Sequence, residues 1–190
     1  MIASSQANTS DSIRHVLFLG ALALLVAGAM LIYELNTYSM WLDEIRMLRP
    51  SLTFNLTPEF FNTIFTQRGH PPLYFMLMRV WTLLMGDSDV ILRAFSWMCS
   101  ILASAFIYRT AVDFTGRAFT GAAAALLFAS MGFVAYYTHQ THNYSMLLMV
   151  VSILLFFYQR WLRHPKQRRY MIGVIVATLG VLFTHYYGVY

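Results

Sequence analysis

The sequence predicts an all-α membrane protein. Of its 190 residues, 58% are hydrophobic and only 11% are charged, which is too apolar for a soluble domain of this size. The apolar residues form runs of about twenty, the length that an α-helix needs to cross a bilayer. Basic residues gather in the short hydrophilic breaks between these runs, as membrane topology requires. We therefore predict about five transmembrane helices and an outer helical loop that is interfacial or re-entrant.

The N-terminal region is predicted to be a tail followed by a first span. Residues 1–13 are rich in Ser, Asn and Thr and are expected to form a disordered cytoplasmic tail. From Val16 to about Leu35 the chain is apolar without a break, which is long enough to span. Ala27-Gly28-Ala29 resembles a signal-peptide cleavage site, but the apolar run continues past it, which favours a span. The membrane domain is thus predicted to occupy residues 14–190.

The segment 36–89 mixes aromatic with charged residues and is predicted to lie along the outer membrane surface. Thr57-Pro58-Glu59 predicts a helix start, because proline is favoured at the first helical position and an acid in the first turn. The apolar run 73–85 contains Arg79 and is short for a span. If it crossed, the basic residues within 160–169 would lie outside, against the positive-inside rule. The run is therefore predicted to be interfacial or re-entrant.

The later apolar runs are predicted to cross the membrane, at about 90–108, 118–137, 144–161 and 170–188. This topology places the basic breaks on the inner face. It also brings three polar segments together on the outer face, where a site would form: the loop around Asp43-Glu44, the turn 137–144 and the chain around His185.

Several short motifs occur in a recognisable order: W-L-D-E from Trp41, H-P-P-L-Y-F from His70, G-D-S-D-x-x-L-R from Gly86 and T-H-Y-Y-G from Thr184. Their order and spacing resemble the N-terminal part of the GT-C glycosyltransferases of the protein O-mannosyltransferase and aminoarabinose transferase superfamily (family 39 or RgtA/B/C/D-like). The resemblance implies a partial GT-C fold and an inverting transferase. Such an enzyme moves a sugar from a polyprenyl-phosphate carrier to a glycolipid, polysaccharide or protein acceptor.

The resemblance also carries expectations about location and completeness. It implies a multi-pass protein of the bacterial plasma membrane with its active face outward, where the loop 36–89 would be catalytic. Enzymes of this kind are usually much longer than 190 residues. We therefore expect this chain to be incomplete and inactive by itself.

Roles for individual residues follow from the same resemblance. Asp43 stands at the position of the general base, which takes the proton of the acceptor hydroxyl as that oxygen attacks the anomeric carbon. Glu44, the second acid, is assigned to the catalytic pair and is expected to position the acceptor or the loop. Arg46 matches an arginine that faces the carrier phosphate, which a guanidinium can bind through two hydrogen bonds. The other residues expected to bind substrate or carrier phosphate are His70, Arg93, His142, Tyr144 and His185.

Each assignment has a plainer alternative. Asp43 could be a solvated loop acid, and Glu44 a charge at a helix N-terminus. Arg93 could pair with Asp89 at the i,i+4 spacing. The turn also departs from the family pattern: relatives often have Glu-Ala-Arg where this chain has Gln140-Thr141-His142, which argues for a different acceptor or donor sugar.

No cofactor is predicted, although a divalent metal stays an open alternative. Cys99 is the one cysteine, and the H-x-x-H formed by His139 and His142 lacks an adjacent third ligand. Topology explains the net charge of +5, so nucleic-acid binding is not expected. Two other function classes remain: a non-catalytic membrane subunit, which would not need Asp43, and a transporter or flippase component, which would place ionisable residues at mid-membrane.

Overall fold

The computed structural model describes residues 2–37, 39–53, 57–63 and 70–186, without the side chains of residues 2–12, 50, 53, 60, 61 and 63. Over these ranges the regular structure is helical and contains no strand, which confirms the all-α prediction. The helices, in chain order, are α1 (Ile2–Ile32), α2 (Leu42–Thr53), α3 (Pro58–Thr63), α4 (Leu73–Met85), α5 (Asp89–Thr115), α6 (Ala118–Ser130), α7 (Gly132–Thr138), α8 (Asn143–Arg163) and α9 (Arg168–Thr184).

Within the described ranges, three helices are long and apolar enough to cross a membrane: Ile13–Ile32 of α1, and all of α5 and α8. A fourth span results if α6 and α7, which meet at an angle of 64°, are counted together. The fifth predicted span, 170–188, corresponds to α9, whose 17 residues lie at the lower limit of spanning length. By length and composition, three to four helices of the described residues can span; the end of the fifth predicted span, residues 187–188, lies outside them.

Two helices of the segment 36–89 begin where the sequence predicts, while the division of the chain into a tail, an outer loop and a membrane domain stays a prediction. α3 begins at Pro58, and α4 covers the predicted run 73–85. In contrast, α1 begins at Ile2 rather than after the predicted tail. The reason is that residues 2–19 contain no glycine or proline, the two residue types most unfavourable to a helix.

The predicted span 118–137 is broken at Met131, where φ is −66° and ψ is 126°. The residue before the break, Ser130, donates its hydroxyl to the carbonyl of Leu127 at 2.8 Å, and Gly132 follows the break. Ser and Gly pairs are common at helix kinks because they compete with or loosen the backbone ladder. The break lets α7 carry its C-terminal end towards the site described below.

Helix α5 lies at the centre, packed against α1, α6 and α8, while α9 packs on α8 and α2 on α4. Small residues allow the closest contacts, as is usual between membrane helices. A Cβ at Gly121 would lie 2.4 Å from the Val112 side chain and 2.9 Å from the Tyr108 carbonyl. On the other side, Trp97 donates its indole N–H to the Gly28 carbonyl at 3.0 Å.

The helices have two polar ends, which we name separately. The basic end comprises the C-terminal halves of α5 and α8 and the start of α9, where Arg160 contacts Asp113 at 2.7 Å and Arg109 contacts it at 3.1 Å. The site end comprises residues 34–37, 39–44, 70–72, 138–143 and 184–185. The chain direction of α5, α6–α7, α8 and α9 alternates between these ends.

Candidate active site

Asp43 and Glu44 are neighbours in the first turn of α2, but their surroundings differ. Glu44 is 1% exposed, whereas the Asp43 side chain is 78% exposed. Glu44 accepts the backbone N–H of Trp41 at 3.0 Å, as an acid at a helix N-terminus commonly does. The first acid of the pair is therefore available to a substrate, and the second is part of the protein interior.

Glu44 forms a buried ion pair with Arg93 of α5. Nε of Arg93 donates to Oε1 at 3.4 Å and Nη2 to Oε2 at 3.2 Å. Nη1 donates to the Leu35 carbonyl at 3.4 Å and to Oδ1 of Asn36 at 3.3 Å. Arg93 is 2% exposed, so its guanidinium joins α2 to α5 and to the chain that follows α1. Glu44 lies 49 positions from Arg93 in the chain. The sequence suggested two other partners for Arg93, namely a substrate group and Asp89.

The turn between α7 and α8 is bound to the same buried carboxylate. The Thr141 N–H donates to Oε1 of Glu44 at 2.8 Å. From α5, Ser96 donates to the Gln140 carbonyl at 2.6 Å, and the hydroxyls of Ser100 and Thr138 are 2.7 Å apart. These contacts fix the backbone that presents His142.

Five residues predicted from the sequence lie together at this turn. Nε2 of His142 is 3.6 Å from Oδ2 of Asp43. The His142 ring stacks on Tyr144, with centroids 4.5 Å apart and planes at 9°, and Tyr144 stacks on His185 at 5.2 Å. His70 is 5.5 Å from His185 and 6.4 Å from His142, again between centroids. The result is a carboxylate next to a ring cluster of three imidazoles and a phenol.

Neighbouring backbone positions these rings. Asn143 donates its side-chain N–H to the Thr184 carbonyl at 3.1 Å, which places the end of α9 beside the start of α8. His70 is followed by the buried Pro71 and Pro72. Because proline disfavours a helix in the residues before it, these two prolines fix the direction in which the chain enters α4. The His70 ring thus reaches the cluster from a separate segment.

Burial lowers the pKa of His70, His142 and His185 below the ordinary value of a histidine. The nearby Asp43 raises the pKa of His70 and of His142, which opposes the effect of burial. His70 lowers the pKa of His142 and of His185 further. All three rings are therefore neutral near pH 7. Nδ1 of His70 and Nδ1 of His142 are buried and lack a hydrogen-bond partner among the described residues, which is uncommon for buried polar atoms.

Arg46, Glu44 and Arg93 lie apart from the ring cluster. Arg46 is exposed on α2, three residues after Asp43, and therefore on the same side of the helix. It makes no ion pair or hydrogen bond within the described ranges. Glu44 and Arg93 neutralise each other in the interior. Arg46 is therefore accessible to a ligand, whereas the side chains of Glu44 and Arg93 are only 2% and 3% exposed.

Metal ligation has little support in this geometry. In the described part of the chain, no group of three or more His, Cys, Asp or Glu side chains is arranged to hold a metal ion. The two histidines of H-x-x-H have different partners: Nε2 of His139 is 3.0 Å from the Leu31 carbonyl, and Nε2 of His142 is near Asp43. Whether a divalent metal participates stays a prediction.

Sequence reasoning missed the residues that fix the turn, namely Ser96, Ser100 and Asn143. Ser96, Ser100 and Ser104 are spaced four apart within an apolar run, which places them on one face of a helix. Hydroxyls on one face of a span are typical of helix contacts in membranes. That spacing could have revealed the two serines, but no local signal indicated Asn143.

Comparison with known proteins adds a family. A family model described as dolichyl-phosphate-mannose-protein mannosyltransferase matches residues 69–190, which is more than half of the chain. The matched region includes four of the five clustered residues, whereas Asp43 and the buried Glu44 precede it. Searches of curated proteins and of solved structures found no match.

Proposed function

The chain belongs to the dolichyl-phosphate-mannose-protein mannosyltransferase family, and from this premise we propose that Asp43 is the general base of an inverting sugar transfer at the site end. As a GT-C glycosyltransferase it is an integral membrane protein that uses polyprenyl-phosphate sugar donors. The observation that carries the proposal is the exposed Asp43 carboxylate, 3.6 Å from His142 and beside a cluster of neutral rings.

The reaction that we propose is a single displacement at the anomeric carbon. Asp43 takes the proton of the acceptor hydroxyl while the hydroxyl oxygen forms the new glycosidic bond. The bond between the anomeric carbon and the carrier phosphate oxygen breaks, and its electron pair leaves with the polyprenyl phosphate. Because the two bonds lie on opposite faces of the sugar, the configuration inverts. Asp43 then returns its proton to water, to which it is exposed.

The ring cluster supplies the polar contacts of this site. His142 contacts the Asp43 carboxylate and orients it. His70 and His185 face the reacting groups from two other segments, and a neutral imidazole offers them one N–H donor and one nitrogen acceptor. Tyr144 supports His142 by stacking. Arg46 supplies a cation that stabilises the charge on the leaving phosphate.

Glu44 and Arg93 have a positioning role in this proposal. Their ion pair and the Thr141 N–H connect α2, α5 and the turn before α8. In the chain, Asp43 directly precedes Glu44, and His142 directly follows Thr141. The buried pair therefore sets the distance between the base and its histidine.

We further propose that the site end faces outward from the plasma membrane and that the acceptor is a glycolipid, a polysaccharide or a protein. The support for this orientation is the charge distribution, since the opposite end contains Arg109, Arg160 and Arg163 around a single acid, Asp113. Basic residues favour the cytoplasmic face. A lipid-linked donor would then present its phosphate at the outer surface, next to Arg46.

Replacement of the base tests the proposed reaction. Asp43→Asn preserves shape but removes proton acceptance, so kcat should fall by about 10²–10⁴-fold. The measurement is transfer of labelled mannose from polyprenyl-phosphate mannose to an acceptor in membranes that contain the whole enzyme. Mannose is the first donor to test because the family description names it.

Asp87→Asn is the matched control, because Asp87 is an exposed acid before α5 and is outside the ring cluster. It should keep normal activity. If Asp43→Asn also transferred sugar at the normal rate, Asp43 would not be the base. The non-catalytic membrane subunit would then replace the enzyme as the function of this region.

A further inference from the structure

A cavity of about 200 Å³ opens at the site end, between the chain after α1, the start of α2 and the end of α7. Its described lining includes the buried pair Glu44 and Arg93 but not Asp43 or the clustered histidines. The cavity is smaller than the roughly 300–1,000 Å³ of sites for drug-sized ligands. It is thus separate from the ring cluster and has room for one small ring.

Two aromatic side chains face this cavity from different segments. Trp41, just before α2, is 63% exposed, and Tyr136, on α7, is 52% exposed. The backbone N–H of Trp41 donates to Glu44 at 3.0 Å, which fixes the main chain at this residue. The C–H groups on a face of a sugar ring pack well on an aromatic surface, because the hydroxyls at the ring's edge stay available for hydrogen bonds.

Polar side chains also belong to the lining of the cavity. Glu34, His139 and Gln140 line the cavity and can bond to hydroxyl groups. Glu34 has a φ of +59° and is the one residue other than glycine with a positive φ in the described ranges. A left-handed glutamate at the end of a helix is unfavourable where glycine is usual, and strain of this kind is common at ligand sites.

The charges of the cavity select the ligand. Among the described lining residues, Arg93 is the one arginine or lysine, and Glu44 neutralises it at 3.2 Å. The remaining charge is the Glu34 carboxylate, which is exposed. A phosphate or a uronic acid would meet this carboxylate without a compensating cation. A neutral sugar ring meets no such repulsion.

The cavity adjoins the proposed base through the chain itself. Trp41 and Glu44, which line it, flank Asp43 in the first turn of α2. We propose that this cavity binds the acceptor, and that the acceptor presents there a neutral saccharide ring, with Trp41 and Tyr136 as walls and Glu34 as a hydroxyl-binding and anion-excluding group. This inference rests on the function proposed above, since it names the substrate class of the same reaction.

Saccharide binding tests the inference directly. The protein in nanodiscs, free of glycoside detergents, is titrated with methyl α-D-mannopyranoside and with an anionic match, methyl glucuronide, followed by ligand-observed NMR. The wild type should bind the neutral ring in preference. Trp41→Ala should weaken this binding about tenfold, the equivalent of the roughly 1.4 kcal/mol that an aromatic contact can contribute. Glu34→Gln should reduce the preference for the neutral ring.

Tyr33→Ala is the matched control, since Tyr33 is 71% exposed and precedes Glu34 without lining the cavity; it should bind like the wild type. Thermal midpoints identify variants that fail to fold, and Tyr136→Ala provides a second wall variant. Absence of saturable binding by the wild type, or wild-type affinity in Trp41→Ala and Tyr136→Ala, would overturn the inference. So would an unchanged preference in Glu34→Gln.

The two proposals fail in different ways. If Asp43→Asn abolishes transfer while the wall variants bind the methyl mannoside normally, the acceptor cavity is wrong and the catalytic base stands. If Asp43→Asn transfers sugar normally, the catalytic proposal is wrong, even where the cavity binds saccharides.

Discussion

The site end and the basic end each bind a carboxylate with arginine, but at different depths. At the site end, Glu44 has a single arginine, Arg93, and the side chains of the pair are 2% and 3% exposed. At the basic end, Asp113 is 14% exposed and contacts Arg160, which is 25% exposed, and Arg109, which is 47% exposed. Arg163 also donates to the Asp113 carbonyl.

This difference separates structural from chemical use of charge. A buried ion pair is costly to break because either partner would stay desolvated and unpaired. A partly exposed network is replaced by water at little cost. Glu44 can therefore hold α2 in one place, and Asp43 beside it stays exposed for reaction. At the basic end, the carboxylate of Asp113 is already paired with Arg109 and Arg160. No second carboxylate is described there that could react.

The comparison fails if the two ends lie on the same side of the membrane. In a Cys99→Ser background, which removes the one native cysteine, Asp87→Cys should label fully with an impermeant maleimide added outside. Lys166→Cys should label only after permeabilisation if the basic end faces the cytoplasm, as proposed from its arginines. Both positions are exposed, so access to water is matched. Equal labelling of both in intact cells would contradict the proposed orientation.

Stability measurements should distinguish the two carboxylates. Glu44→Gln leaves the Arg93 charge buried, so it should lower the free energy of unfolding by about 3–5 kcal/mol. Asp113→Asn, whose arginines reach water, should cost about 1 kcal/mol. Thermal and denaturant unfolding in the same detergent compare the two directly.

Arg93→Met provides the control for the buried pair. Added to Glu44→Gln, it should cost less than the sum of the two single changes, because it removes the unpaired charge. Additive losses, or an equal loss in Asp113→Asn, would show that Glu44 is not bound as the structure describes.

The pH dependence of stability should originate at the site end. The folded-state pKa of His70, His142 and His185 lies below the ordinary value of 6.5. Below pH 6.5 the unfolded chain therefore binds more protons than the folded one, and stability is lost as the pH falls. Between pH 7 and 5.5 we expect a loss of about 1 kcal/mol.

His142→Gln should flatten this pH dependence, whereas His164→Gln should not, since His164 is exposed at the basic end. The readout is the thermal midpoint at each pH. A midpoint that rises on acidification, or that His164→Gln flattens equally, would contradict the assignment.

Much of the fold could be predicted because it depends on local patterns. The helix Leu73–Met85 could be predicted from an apolar run between Pro72 and Gly86. Proline stops a helix that would arrive from upstream, and glycine is common just after a helix end. The bend at Met131 was missed because the number of apolar residues in the segment is the same for one straight helix as for two helices that meet at an angle. The length of α9 was overestimated, since apolar residues continue beyond the helix end at Thr184.

The site was predicted in part for a comparable reason. Motif order brought Asp43, His70, His142, Tyr144 and His185 into one hypothesis, and the structure places them together. Spacing suggested Asp89 as the partner of Arg93, because i,i+4 pairs are the ones that a sequence shows. The contact with Glu44 depends on how α2 packs beside α5, which no local pattern encodes.

The contacts of Glu44 also set an order of events during biosynthesis. Its last protein donor, the Thr141 N–H, is 97 residues downstream. At about 5–20 residues per second of translation, roughly 5 to 20 s pass between the synthesis of the acid and that of its donor. During this interval, Glu44 stays hydrated, because an unpaired carboxylate is too costly to bury. The start of α2 can therefore dock only after α5 has been inserted and the ribosome has reached α8, which makes docking of the segment that contains Asp43 one of the latest steps in the maturation of this region.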